Sequence, residues 1–186
     1  MSRLEGRDAQ ERDSGVSRSE RLRQVSPEVG RFLHTIVLAA RPANILEIGT
    51  SGGYSTLWLA SAARMTGGSV TTLEIDPVKV ELARQSVADA GLGDIVQIVE
   101  GDAFAHLRAP RDPVGFCFLD AEKEDYEAFY GLAVPMLSRG GVLVADNVLS
   151  HREELESFTA RALNDQRMSA VVVPIGRGEL LAVRLP

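Results

Sequence analysis

The sequence predicts an α/β fold: a mainly parallel sheet with helices on both faces, closed by a C-terminal antiparallel hairpin. Three observations predict it. Near-continuous apolar strands alternate with helical segments, the pattern of a parallel sheet buried on both sides. The segment NILEIGTSGGYSTLWLA, residues 44–60, reads as a buried strand, a glycine turn and a helix. The ending MSAVVVPIGRGELLAVRLP is two strands joined by a glycine-containing turn with no helix between them.

Along the chain, residues 1–24 alternate charges (Arg3, Glu5, Arg7, Asp8, Glu11, Arg12, Asp13, Arg18, Glu20, Arg21, Arg23) and offer almost no apolar face. They are expected to form a solvated tail that folding does not need, mobile or weakly helical. A single domain then occupies 25–186. SPEVGRFLHTIVLAA opens it as an amphipathic helix, with Ser26 as N-cap, Pro27 in the first turn and Phe32, Leu33, Ile36 and Val37 inward. Strands fit NILEIG, SVTTLEI, IVQIVEG, VGFCFLD and GVLVAD. Helices fit Tyr54–Met65, Pro77–Ala90, a short stretch after Asp102, Glu124–Leu137 and Arg152–Leu163.

Ligands of open α/β sheets lie beyond the carboxyl ends of the strands, at the switch point, so the first turn is in position for a cofactor. A dinucleotide site wants G-x-G-x-x-G. Here Gly49, Gly52 and Gly53 break that spacing, and Glu47 would repel a pyrophosphate. The same carboxylate attracts an ammonium or sulfonium, while Ser55 and the free N–H groups of the next helix can receive a carboxylate. S-adenosylmethionine has both ends. Glu74, closing the second strand, stands where an acid grips ribose hydroxyls; the plainer alternative is a helix-capping acid, because EIDP also opens a helix. Gly101, Asp102 and Ala103 follow the third strand and can flank adenine, although Asp102 also suits an N-cap.

The fourth and fifth strands run out at FLDAEKEDY and LVADNVLS. Adjacent strands would bring Asp120, Asp146 and Asn147 together, and two carboxylates with an amide carbonyl suit Mg²⁺ or another hard divalent ion rather than zinc. Taken singly, these residues also suit an N-cap and a turn. Lys123, three residues past Asp120, would sit near such an ion, which would favour its proton-accepting form. His151 is expected to face solvent, with acceptor contact or an auxiliary base as the alternative.

Composition narrows the partners. A formal charge of −6 over 186 residues argues against a nucleic-acid surface. The single cysteine, Cys117, lies in an apolar run and is expected to be a buried small hydrophobe. No apolar run approaches a membrane span and the start lacks a signal peptide's apolar core, so the expected location is cytoplasmic, away from membranes.

On these motifs the chain resembles the class I, S-adenosylmethionine-dependent O-methyltransferases of the catechol and caffeoyl-CoA type. LEIGTSGGYS is similar to their first motif, LEIDP to their ribose-binding acid, LDAEKEDY and ADNVL to their metal and catalytic segments, and PIGRGELLAVR to their closing hairpin. The resemblance implies a Rossmann-like, seven-stranded methyltransferase fold with one antiparallel strand. It implies metal ligation by Asp120, Asp146 and Asn147, and Lys123 as catalytic base. It also implies cofactor contacts from Glu47, Gly49, Ser55, Glu74 and Ala103, with Val25 packing alongside; Gly101, Asp102 and Asp120 join this set. The acceptor is expected to be a small hydroxylated molecule such as a catechol, and a homodimer is compatible. Two alternatives stand beside this one: an NAD-linked oxidoreductase and a non-catalytic module that keeps the cofactor pocket. On the acceptor side the chain departs from the family, with only a charged tail before Ser26 and a short stretch after DNVL.

Overall fold

The computed structural model describes residues 1, 4–6, 10, 14, 21–109 and 112–186. A seven-stranded sheet runs through the domain: β1 (Asn44–Ile48), β2 (Ser69–Glu74), β3 (Val96–Glu100), β4 (Val114–Leu119), β5 (Leu137–Ala145), β6 (Met168–Val173) and β7 (Glu179–Arg184). Their spatial order is β3-β2-β1-β4-β5-β7-β6. The pairs among β1 to β5 are parallel, and β7 alone runs against its neighbours β5 and β6. The expected sheet and hairpin are therefore present.

Among the described residues six helices cover the sheet: α1 (Pro27–Ala40), α2 (Tyr54–Thr66), α3 (Pro77–Asp89), α4 (Ala103–Arg108), α5 (Tyr126–Met136) and α6 (Glu156–Asn164). Ser26 caps α1 by accepting Val29 N–H, and Pro27 follows it. Strand alternation divides the core in two. Phe116, Phe118 and Val144 face the α1–α2 side with Leu33, Val37 and Leu59, whereas Cys117, Leu119 and Leu143 face Tyr126, Tyr130 and Phe158. Burial on both faces explains why these strands carry almost no polar residue.

Three boundaries differ from expectation. A 3-10 turn, Lys123–Asp125, precedes α5, and Leu137 belongs to β5 instead of the helix. β5 starts five residues earlier than its apolar run, because Ser138, Arg139, Gly140 and Gly141 hide its beginning; its pairing with β4 shifts register between Val114 and Phe116. α6 begins at Glu156 rather than Arg152, after a series of turns.

Most of the charge alternation of residues 1–20 lies outside the described residues. The described ones depart from a solvated tail at two points: Leu4 and Leu22 are buried against the α1–α2 core. The Gln24 side chain donates to Leu4 O (2.9 Å), and Tyr54 Oη donates to Glu5 (2.6 Å). Two leucines scattered among charges carry no periodic signal, so the sequence pattern gave no hint of their burial. Their contacts remove the reason for treating this stretch as dispensable.

Candidate active site

The strands place one cavity of about 560 Å³ at their carboxyl ends, beside the β1–β4 switch point. Its floor is the turn after β1. Gly49 N–H and Thr50 N–H both donate to Leu73 O (3.1 and 3.2 Å), hooking the turn over β2. Gly49 has φ +101°, and a Cβ there would lie 2.1 Å from Asp120 O, so only glycine lets β1 and β4 close at this point.

Glu74 reaches the cavity wall from the end of β2. Ser51 N–H donates to its Oε2 (2.7 Å), and Ile75 and Asp76 N–H donate to its Oε1 (2.9 and 3.0 Å). It is not the helix cap: Asp76 accepts Val78 N–H (2.8 Å) and fills that role for α3. A carboxylate oxygen has two lone pairs, so Oε1 is filled and Oε2 keeps room for one hydroxyl donor. Asp102 caps α4 through Phe104 N–H (2.8 Å) and also lines the cavity. Gly101 and Ala103 lie beside it on the wall, as Val25 and Ser55 do elsewhere. Ile75, which the sequence did not single out, is an exposed apolar side chain on the same wall.

Glu47 differs from the others. It is fully buried beneath the turn and does not line the cavity. Thr56 and Thr72 hydroxyls donate to its Oε2, while Oε1 has no partner of good hydrogen-bond geometry. Burial pushes this carboxyl up to about 7, against the pull of the Ser55, Thr56 and Thr72 hydroxyls. An unsatisfied, desolvated carboxylate oxygen suits a cation arriving from above.

At the other end of the cavity the ladder hydrogen bonds continue past the strands. Asp120 N–H donates to Ile48 O (3.0 Å) and Asp146 N–H to Leu119 O (3.1 Å), which sets the two acids side by side. Lys123 Nζ donates to Asp120 Oδ1 (3.1 Å), Ala121 O (2.9 Å) and Tyr126 Oη (2.9 Å), so all three ammonium protons are engaged. The 3-10 turn brings this side chain, only 8% exposed, back over Asp120. Asn147, at φ +74°, aims its amide at Asp120 (3.3 Å), and its N–H donates to Asp146 Oδ1 (2.6 Å). Asp120, Lys123, Asn147 and His151 line the cavity; Asp146 lies just behind, nearly buried. His151 is therefore turned to the cavity rather than only to solvent, its Nδ1 3.0 Å from Ser150 Oγ.

A further acid, Glu179, stands behind this end of the cavity. Ala145 pairs with Leu180 across the antiparallel β5–β7 ladder, so the next pair along is Asp146 and Glu179. Glu179 is 0% exposed, and neither oxygen has an ordinary donor. Burial and the facing Asp146 carboxylate push Glu179 far up, holding it as a neutral acid beside Asp146; burial and Asp120 raise Asp146 as well. The available signal was an acid at an inward position of an otherwise apolar strand. Among the described residues no three His, Cys, Asp or Glu side chains form a metal cluster. The donor set here is instead two carboxylates and an amide, hard oxygens whose crowded negative charge fits a divalent ion.

The O-methyltransferase family profile matches residues 9–185. The chain belongs to the O-methyltransferase family. It is 40% identical over 126 residues to a catechol O-methyltransferase of Mycobacterium tuberculosis (67% of this chain, 57% of the relative). It is 36% identical over 148 residues to a catechol O-methyltransferase of Niastella koreensis (77% and 66%). The chain thus spans about three-fifths of the length of these relatives. Among solved structures, a Bacillus cereus O-methyltransferase in complex with SAH (S-adenosylhomocysteine) superposes with TM-score 0.83 at 29% identity, covering 99% of this chain and 91% of that one. A Streptomyces achromogenes O-methyltransferase in complex with SAM (S-adenosylmethionine) gives 0.83 at 26% identity, covering 98% and 89%. This membership leaves the NAD-linked oxidoreductase without support. No helix among the described residues is long and apolar enough to cross a membrane.

Proposed function

We propose that the protein is an S-adenosylmethionine- and divalent-metal-dependent O-methyltransferase, cytoplasmic, that methylates one hydroxyl of a small catechol-like or vicinal-diol acceptor. The observation that carries this reading is the shared cavity: the glycine turn and Glu74 lie at one end, with Lys123, Asp120 and Asn147 at the other. Bound S-adenosylmethionine supplies an electrophilic methyl group on a sulfonium. Glu47, buried beneath the turn, favours the positive amino-acid end through its charge, Ser55 and the α2 N-terminus offer donors to the carboxylate, and Glu74 accepts from a ribose hydroxyl.

The residues at the other end prepare the acceptor. Asp120, Asp146 and Asn147 would hold a divalent ion such as Mg²⁺, whose charge lowers the pKa of a nearby hydroxyl. Lys123 Nζ takes the hydroxyl proton once its ammonium has lost its own, and Tyr126 Oη steadies it from behind. Fixing oxygen and methyl in line contributes up to about 7–11 kcal/mol in favourable cases. Incubation with catechol and methyl-labelled S-adenosylmethionine, with Mg²⁺ or with EDTA, tests this directly. Labelled methoxyphenol in the first tube alone is the expected result; label in neither sinks the assignment, and equal label in both removes the metal.

A further inference from the structure

We propose that Arg177 selects an acceptor that carries a negative group, namely a vicinal diphenol with a carboxylate on its ring. The inference rests on the methyltransferase reading above and narrows its acceptor class.

Arg177 is the tip of the β6–β7 turn, and that turn is clamped to the segment following Asp146 and Asn147. Leu149 and Ser150 N–H both donate to Arg177 O (3.1 and 2.9 Å), and Val148 N–H donates to Gly178 O (3.0 Å). The flanking glycines cannot carry side chains here. A Cβ on Gly176 (φ +56°) would lie 2.3 Å from Val29 Cγ2, and one on Gly178 (φ +91°) would lie 2.4 Å from Leu149 Cγ. Three residues thus place a single long side chain at the acceptor end, with its backbone fixed.

That side chain is a cation with nothing to hold. Arg177 lines the cavity, and its guanidinium makes no hydrogen bond or ion pair among the described residues. The other cations of the wall are already held or adjoin the Glu74 end. Lys123 is bonded to Asp120, and Arg23 is paired with Glu122. Lys79 has interactions of its own; Arg21, whose buried Nε has no hydrogen-bond partner, adjoins Leu22, whose carbonyl takes the Ser51 hydroxyl at the Glu74 end. Elsewhere the lining is acidic, with Glu74, Asp102, Asp120, Glu122 and Asp125. At the Asp120–Asn147 end an acceptor carboxylate is repelled by the acids and attracted at Arg177. Such a group therefore sets the orientation of the ring, with its hydroxyls toward Asp120 and Asn147. The planar guanidinium fork matches a carboxylate in two parallel hydrogen bonds.

The test compares kcat/KM for 3,4-dihydroxybenzoate, catechol and 3,4-dihydroxyphenethylamine in the full-length protein and in Arg177→Gln and Arg177→Glu. The parent should favour the acid over catechol. Arg177→Gln should lower the acid-to-catechol ratio about tenfold, mainly through KM, the scale of one charge-assisted contact. Arg177→Glu should invert the preference between acid and amine, and added salt should shrink the parent's preference because the group is exposed. An unchanged ratio in both variants, or a parent that prefers catechol, overturns the proposal. If no diphenol is methylated at all, the methyltransferase reading fails separately. Calorimetric titration of 3,4-dihydroxybenzoate into the protein with SAH and Mg²⁺ then decides: binding weakened in Arg177→Gln supports the role of Arg177, and absent or unaltered binding refutes it.

Discussion

The two ends of the cavity are held together by different means. At the cofactor end main-chain donors dominate. Gly49 and Thr50 hook onto Leu73, Glu74 receives three N–H groups, and Asp102 receives one. At the acceptor end side chains hold side chains: Lys123 and Asn147 on Asp120, Glu179 against Asp146, and Arg177 on nothing. A main-chain frame survives the loss of any one side chain, so this end has a fixed shape. The acceptor end keeps unbalanced charge in a poorly solvated place, where a bound ion or substrate gains most.

Mutations at the two ends should therefore give opposite signatures. The largest effect belongs to the acceptor end. Lys123→Ala should lower turnover by ~10²–10⁴-fold, the usual cost of a lost general base, with metal still bound. Asp146→Ala should abolish metal-dependent turnover, as EDTA should do reversibly, and calorimetry should show S-adenosylmethionine binding nearly as before. A variant of either kind that fails to bind the cofactor would break the division between the ends.

Glu74→Ala should do the reverse. Losing its charge-assisted bond to ribose costs on the order of 2–3 kcal/mol of cofactor binding, about 30- to 160-fold in Kd, while metal binding persists. Unaltered cofactor affinity in the folded variant would take Glu74 out of the site.

Glu47 gives the next effect, read in stability. Its carboxyl titrates near 7 when folded against an ordinary value of 4.5, so the folded state holds this proton more tightly. The stabilisation is complete below pH 4.5 and is lost as pH rises through 7, roughly 3 kcal/mol in all. Denaturant titrations of the ligand-free protein should show Glu47→Gln gaining stability over the parent at pH 8 and little at pH 4. A gain that does not vary with pH would mean that the buried carboxyl is not the cause. Arg23→Ala is the smallest change: its pair with Glu122 is partly exposed, and removing it should cost under ~1 kcal/mol by thermal unfolding.

The comparison also explains what was legible from sequence. Strand and helix order followed from period and caps, and Glu74, Gly49, Asp120 and Lys123 stood at strand ends or in turns where position alone assigns them to the cavity. Glu179 and Arg177 were not legible. Glu179 meets Asp146 only through the antiparallel register of β5 and β7, a long-range pairing with no local signature. Arg177 points at the cavity because two glycines and three backbone hydrogen bonds pin its turn to the loop after Asn147. Leu4 and Leu22 were obscured in the same way, their burial decided by surfaces far along the chain.

Cys117, enclosed in β4 between the two cores, leaves the protein chemically quiet toward thiol reagents. Burial pushes its thiol up to about 12, so neither maleimides nor peroxides meet a thiolate in the native state. A cysteine introduced at an exposed position such as Val171 would then be the one site a thiol-directed dye or spin label modifies. The native chain already has the background that site-specific labelling normally requires engineering to create.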